Sequence, residues 1–209
     1  CSGLVLSEAT TALFEGCTHI DGDLKIDATS DIVSLDHAAL AGIVSIDGNL
    51  LVTSTNQLKR MDSSTDGLAS LVNVSGEVRF QYLNRLSHMS LPSLQRVGGE
   101  VLLYDLGGQK PWGSHDDYPD DGPVSFPELV SVGGNVEIKA GYRNTGIIMS
   151  KLSTIGGTLE LKDNPIAAHF NRISEVTFPE GAPASIDFRS LVSVHTYIQM
   201  DNIKIFEND

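Results

Sequence analysis

Leu129-Val130-Ser131-Val132-Gly133-Gly134-Asn135-Val136-Glu137-Ile138 is the stretch that decides the fold. It reads as an apolar residue, two variable positions, Val or Ile, one position, Gly, one position, then two apolar residues spaced by one. The same phrase returns around Ile20-Asp21-Gly22-Asp23-Leu24-Lys25-Ile26, Ile46-Asp47-Gly48-Asn49-Leu50-Leu51-Val52, Val74-Ser75-Gly76-Glu77-Val78-Arg79-Phe80, Val97-Gly98-Gly99-Glu100-Val101-Leu102-Leu103 and Ile155-Gly156-Gly157-Thr158-Leu159-Glu160-Leu161. A degenerate seventh copy runs Val194-His195-Thr196-Tyr197-Ile198-Gln199-Met200. A unit this small cannot bury its own apolar face, so the copies must stack on one another as a solenoid.

After each glycine the apolar residues alternate with polar ones, as Val136 and Ile138 do with Glu137 and Lys139. That period of two predicts a short strand with one buried face in every coil. The aligned glycines Gly22, Gly48, Gly76, Gly99, Gly134 and Gly157 are 26, 28, 23, 35 and 23 residues apart, by subtraction of their positions. Such spacing leaves no room for a long helix between strands and predicts coils decorated with loops. Successive strands then stack in parallel at roughly 4.8 Å per rung, and about seven rungs stand about 30 Å tall. The Leu-x-x-Val segment before each glycine is expected to form an adjoining sheet, with the glycine at the corner, where positive φ or close backbone approach excludes a side chain. Leu91-Pro92-Ser93-Leu94, Phe126-Pro127-Glu128-Leu129 and Phe188-Arg189-Ser190-Leu191 introduce three of the copies. Proline suits a turn between coils, which needs no ladder donor.

A solenoid end needs a cover. Ser7 is placed as a helix N-cap, Leu6, Ala9 and Leu13 share a helical face, and Gly16 is placed as a stop, which predicts a capping helix over about residues 7 to 15. Cys1 and Cys17, the only cysteines, bracket it. A disulfide between them would tie residues 1–17 into a cap and implies an oxidising compartment; two free thiols in a cytosolic protein are the other reading. The chain begins without Met, as expected of an exported, processed product, and Cys1 is also a position that a lipid anchor would use.

With 209 residues and 41% hydrophobic composition, a single all-β domain over 1–209 with an ample core is expected. No apolar run approaches the ~20 residues of a membrane span. The formal charge of -13 argues against nucleic acid as a partner.

A cysteine, a short helix and then Gly16-Cys17-Thr18-His19-Ile20-Asp21-Gly22-Asp23-Leu24-Lys25-Ile26 resembles the opening of a receptor L domain. That leucine-rich-like, right-handed β-helix is found in insulin-receptor and EGF-receptor ectodomains, and a similar pattern recurs in fungal GPI-anchored cell-wall proteins of the sporulation-specific type. Phe126-Pro127-Glu128-Leu129-Val130-Ser131-Val132-Gly133-Gly134-Asn135-Val136-Glu137-Ile138 is similar to the same group. The resemblance extends over about residues 1 to 203. It implies a secreted or surface-displayed (extracellular or periplasmic) binding, adhesion or wall-building module with no catalytic residues, held by a lipid or GPI anchor outside the segment where it is anchored at all. No cysteine follows Cys17, so the cysteine-rich modules of growth-factor receptors have no counterpart here.

Chemistry is sparse. The six histidines, His19, His37, His88, His115, His169 and His195, form no metal-ligand spacing, and neither a G-x-S-x-G motif nor a P-loop occurs. No cofactor and no metal are expected. Glu137 and Glu160 fall on adjacent rungs beside Lys139 and Lys162, which suits a solvated face with diagonal ion pairs better than a catalytic dyad; a carbohydrate-active β-helix enzyme is the rival class, and a structural cell-wall component is the third. The outward positions Leu51, Arg79, Gln81, Leu102, Tyr104, Glu137 and Lys139 place apolar and aromatic groups beside charges, the composition of an interface with a protein or glycan.

Two insertions are expected, 107–124 and 163–183. The first holds the only tryptophan, Trp112, with Tyr118 and His115, and long loops on rigid scaffolds carry recognition. Its Asp116, Asp117, Asp120 and Asp121 are oxygen ligands of the kind calcium takes, at a spacing that matches no defined calcium loop. Asn73-Val74-Ser75 is an N-glycosylation sequon inside an expected rung, relevant in a eukaryotic source.

Overall fold

In the computed structural model, residues 1–35, 38–55, 57–61, 67–86, 88–106, 124–139 and 147–162 are described, with short strands at 167–169, 175–177, 185–187 and 204–205. The chain is an all-β solenoid whose neighbouring strands run parallel. One row of strands comprises His19–Ile20, Ser45–Ile46, Asn73–Val74, Arg96–Val97, Ser131–Val132 and the start of Thr154–Lys162. After the glycine corner a second row follows, namely Leu24–Ile26, Leu50–Thr53, Val78–Leu83, Val101–Leu106, Val136–Lys139 and the end of Thr154–Lys162. A third row runs Arg60–Met61, His88–Ser90, Val124–Ser125, Ile147–Ile148, Ala167–His169, Ser185–Asp187 and Lys204–Ile205.

Register is set by repeat phase. Val78 pairs with Leu50 and Val101, Phe80 with Val52 and Leu103, and all of them are buried. A one-residue slip would carry the whole apolar set to solvent, which is why the alternation specifies the pairing so strongly. Ahead of each first-row strand lies a corner that sequence reading found at only two of its described occurrences. Leu94 N–H donates to Leu91 O at 3.3 Å and Leu129 N–H to Phe126 O at 3.2 Å, as expected from the proline phrases. The same turn joins Phe14 to Cys17, Leu40 to Ile43, Leu68 to Leu71 and Met149 to Leu152, with both members of every pair buried.

The glycine corners are held by their own ladder. The N–H groups of Gly48, Gly76, Gly99, Gly134 and Gly157 donate to the carbonyls of Gly22, Gly48, Gly76, Gly99 and Gly134 at 2.8 to 3.1 Å. Of these six, Gly22 alone has positive φ, 103°. The others need glycine because each backbone lies directly on the coil before it: a Cβ on Gly99 would sit 2.9 Å from the carbonyl of Gly76.

At the N-terminus the structure departs from expectation. A 3-10 helix over Thr11–Phe14 stands where a nine-residue capping helix was expected, and Leu13 is 65% exposed while Leu6 is fully buried. Thr10 Oγ1 donates to Ser7 O and Thr11 Oγ1 to Glu8 O, local bonds that accompany this short turn. Gly16, at φ 78°, ends the turn. Residues 1–6 lie extended along the first coil, with parallel bridges Ser2 to Asp21 and Val5 to Lys25. Cys1 and Cys17 form a disulfide with Cα atoms 6.0 Å apart.

Most of the two expected insertions, 107–124 and 163–183, lies outside the described residues. Val124 already belongs to a third-row strand, and 163–183 contains the strands Ala167–His169 and Glu175–Thr177. Copy seven, Val194–Met200, and the phrase Phe188–Leu191 lie outside the described residues. Among the described residues, no helix is long and apolar enough to cross a membrane.

Candidate functional site

The second row presents its outward positions in register. Lys25, Leu51, Arg79, Leu102 and Glu137 follow one another up the stack, and Thr53, Gln81 and Tyr104 form a parallel column beside them. All are half-buried. Arg79 is fixed at the centre, its Nη2 donating to Glu77 Oε2 at 2.9 Å and to Glu100 Oε1 at 3.4 Å. Its Nε is buried without a hydrogen-bond partner. The two carboxylates come from the positions just after the glycine corners, so the repeat itself aims them at the guanidinium. Sequence reading had Arg79, Gln81, Leu102 and Tyr104 on one face, and the register brings all four together.

It missed Tyr82. At the end of this row Ser54, Tyr82 and Asp105 have φ values of 54°, 56° and 50°, the left-handed region. Each directly follows a member of the Thr53, Gln81, Tyr104 column, so the three lie at one level of the corner. A left-handed residue costs about 1 to 2 kcal/mol for a side chain such as tyrosine. It also breaks the alternation: Thr55, Leu83 and Leu106 become buried after an interval of three, and Tyr82 turns outward, 43% exposed. Tyr82 meets Tyr104 edge to face, with centroids 5.2 Å apart and planes at 89°. The available signal was the lengthened apolar spacing, Phe80 to Leu83 and Leu103 to Leu106, with no glycine to announce a turn.

Trp112, Tyr118, His115 and the four aspartates of the insertion lie outside the described residues. Glu137 pairs in register with Glu160, and Lys139 with Lys162, as the repeat predicts. Among the described residues no group of three His, Cys, Asp or Glu side chains is arranged to hold a metal ion.

A hydroxyl, an imidazole and a carboxylate do meet on the first row, where His19 Nδ1 lies 2.7 Å from Ser45 Oγ and His19 Nε2 lies 3.1 Å from Asp47 Oδ2. His19 and Asp47 are about half exposed. The neighbouring N–H groups of Val44, Ser45, Asp47 and Gly48 all donate to carbonyls of the coil below, so they offer no oxyanion a pair of donors. The trio ties the first two coils together. Asn73 and Ser75 face outward on the same row, Asn73 Nδ2 donating to Ser75 Oγ at 3.4 Å. Cys1 Sγ is engaged in the disulfide with Cys17. Compared with protein-family models, with curated proteins and with solved structures, the chain finds no match.

Proposed function

We propose that this chain is a non-enzymatic recognition module of the receptor L-domain type, a right-handed solenoid of about seven coils displayed outside the cell. Its ligand, a protein or a glycan, docks on the second-row face bearing Leu51, Arg79, Gln81, Leu102 and Tyr104, with Tyr82 at the rim. The observation that carries this reading is the Tyr82–Tyr104 pair: an exposed aromatic ring is kept in a strained backbone conformation next to a half-apolar face. Strain of this kind persists where the surroundings over-determine it, and it clusters at ligand sites. A parallel stack of coils is also a stiff support, which lowers the ordering cost of binding.

The test is a binding screen of the intact chain against glycan arrays and displayed peptide and protein libraries, repeated with Tyr82→Ala and Tyr104→Ala. Each substitution is expected to weaken a ligand of this face by more than about 1 kcal/mol with the circular dichroism spectrum unchanged. Turnover of a polysaccharide, silenced by Glu160→Gln, would replace this reading with the carbohydrate-active one.

A further inference from the structure

We propose that Asn73 is an acceptor for an N-linked glycan and that the sugar is carried by the first-row face, away from the docking face. Asn73-Val74-Ser75 is the sole N-x-Ser/Thr sequence in the chain. Residues two apart in a strand share a face, and here Val74 is fully buried while the Asn73 amide and the Ser75 hydroxyl meet on the solvent side. The acceptor amide therefore points outward from a central strand of the folded rung, which can hold a glycan without repacking.

The ground beside it is clear. The stack positions that continue from Ser75 are Gly98, Gly133 and Gly156, each exposed and each without a side chain. Their backbone forms a bare strip leading away from Asn73 along the coils. The flanking residues in register, Ser45 and Arg96, are polar, as suits a sugar in contact. In the transfer the Asn73 side-chain nitrogen forms a bond to the anomeric carbon of a lipid-pyrophosphate-linked oligosaccharide. The bond from that carbon to the pyrophosphate oxygen breaks, and one amide proton is released as the lipid pyrophosphate departs. No oxidant or reductant is involved.

The proposal needs export through a glycosylating compartment but no ligand, so it stands or falls apart from the docking face. The chain is to be secreted from a eukaryotic host and its intact mass measured before and after amidase removal of N-glycans. A discrete mass gain that the amidase abolishes, with Asn73 converted to Asp in the peptide map, is expected; Asn73→Gln and Ser75→Ala should lose it and Ser75→Thr should keep it. A secreted, folded wild-type chain at its bare mass would overturn the proposal. So would a glycan that survives Asn73→Gln. Should a variant fail to fold, the wild-type peptide map decides alone.

Discussion

Asn49 binds Asp23, its counterpart one coil earlier, through two hydrogen bonds: its main-chain N–H and its Nδ2 each donate to Asp23 Oδ1 at 2.9 Å. Asn49 Oδ1 then accepts from the Glu77 N–H at 2.8 Å. Side chains at one repeat position thus relay from coil to coil and satisfy corner donors that the glycine ladder leaves over.

The first prediction follows from that relay. The Asn49 N–H holds the Asp23 carboxyl below its ordinary pKa of 3.8, with Lys25 at 3.1 Å adding to the effect and partial burial opposing it. Asp27 is lowered as well, by the Thr29 hydroxyl and N–H. A carboxyl with a depressed folded pKa stabilises the fold above its unfolded value, and the contribution is lost as pH falls through the folded one. Urea midpoints should therefore drop as pH decreases below about 3.8. Asp23→Asn should lower the midpoint at pH 7 and flatten that decline; equal acid limbs in the two proteins would remove Asp23 from the account.

Rung orientation gives the second. Ile138 is fully buried and Glu137 beside it is not. Ile138→Ala should cost about 2 to 5 kcal/mol in chemical denaturation, and Glu137→Ala no more than about 1 kcal/mol.

Two glycines supply the third. Gly16 has φ 78° and open space around its Cβ position, so Gly16→Ala should cost only the left-handed penalty of about 1 to 2 kcal/mol. A Cβ on Gly133 would run into the carbonyl oxygen of Gly98, and that oxygen belongs to a backbone held on both sides. Gly133→Ala should destabilise more than Gly16→Ala, with the loss read as a lower melting temperature.

The fourth concerns the disulfide. Titration of the denatured, unreduced protein should find no free thiol. Replacing both cysteines by serine should cost roughly 3 kcal/mol on the loop-entropy account. Thermal melts of the two proteins under identical conditions measure the difference.

Repeat phase made the second-row strands, their parallel stacking and the outward register of Arg79, Gln81, Leu102 and Tyr104 legible in advance, because each is a direct consequence of the period of two. The corner pairs were readable too, as apolar residues at intervals of three, such as Leu40, Ile43 and Ile46 or Met149, Leu152 and Ile155. Proline drew attention to two of them and hid the rest. Tyr82 escaped because a left-handed tyrosine has no compositional mark. The N-terminal helix was over-read because Leu6, Ala9 and Leu13 fit a helical face, whereas Leu6 instead belongs to an extended segment bonded to Lys25 O. Propensity in so short a window yields to pairing with a preformed sheet edge.

The extended segment at residues 1–6 also bears on how the stack begins. Its partners, Asp21 and Lys25, lie in the first coil itself, so that coil meets chain on both sides, residues 1–6 on one and the second coil on the other. Each new coil then closes onto the one before it across a gap of 23 to 35 residues between glycines. Closing the longest gap instead of the shortest adds about 0.4 kcal/mol of chain entropy. Coil length is therefore a weak constraint on the stack, and the 35-residue interval between Gly99 and Gly134 costs it little.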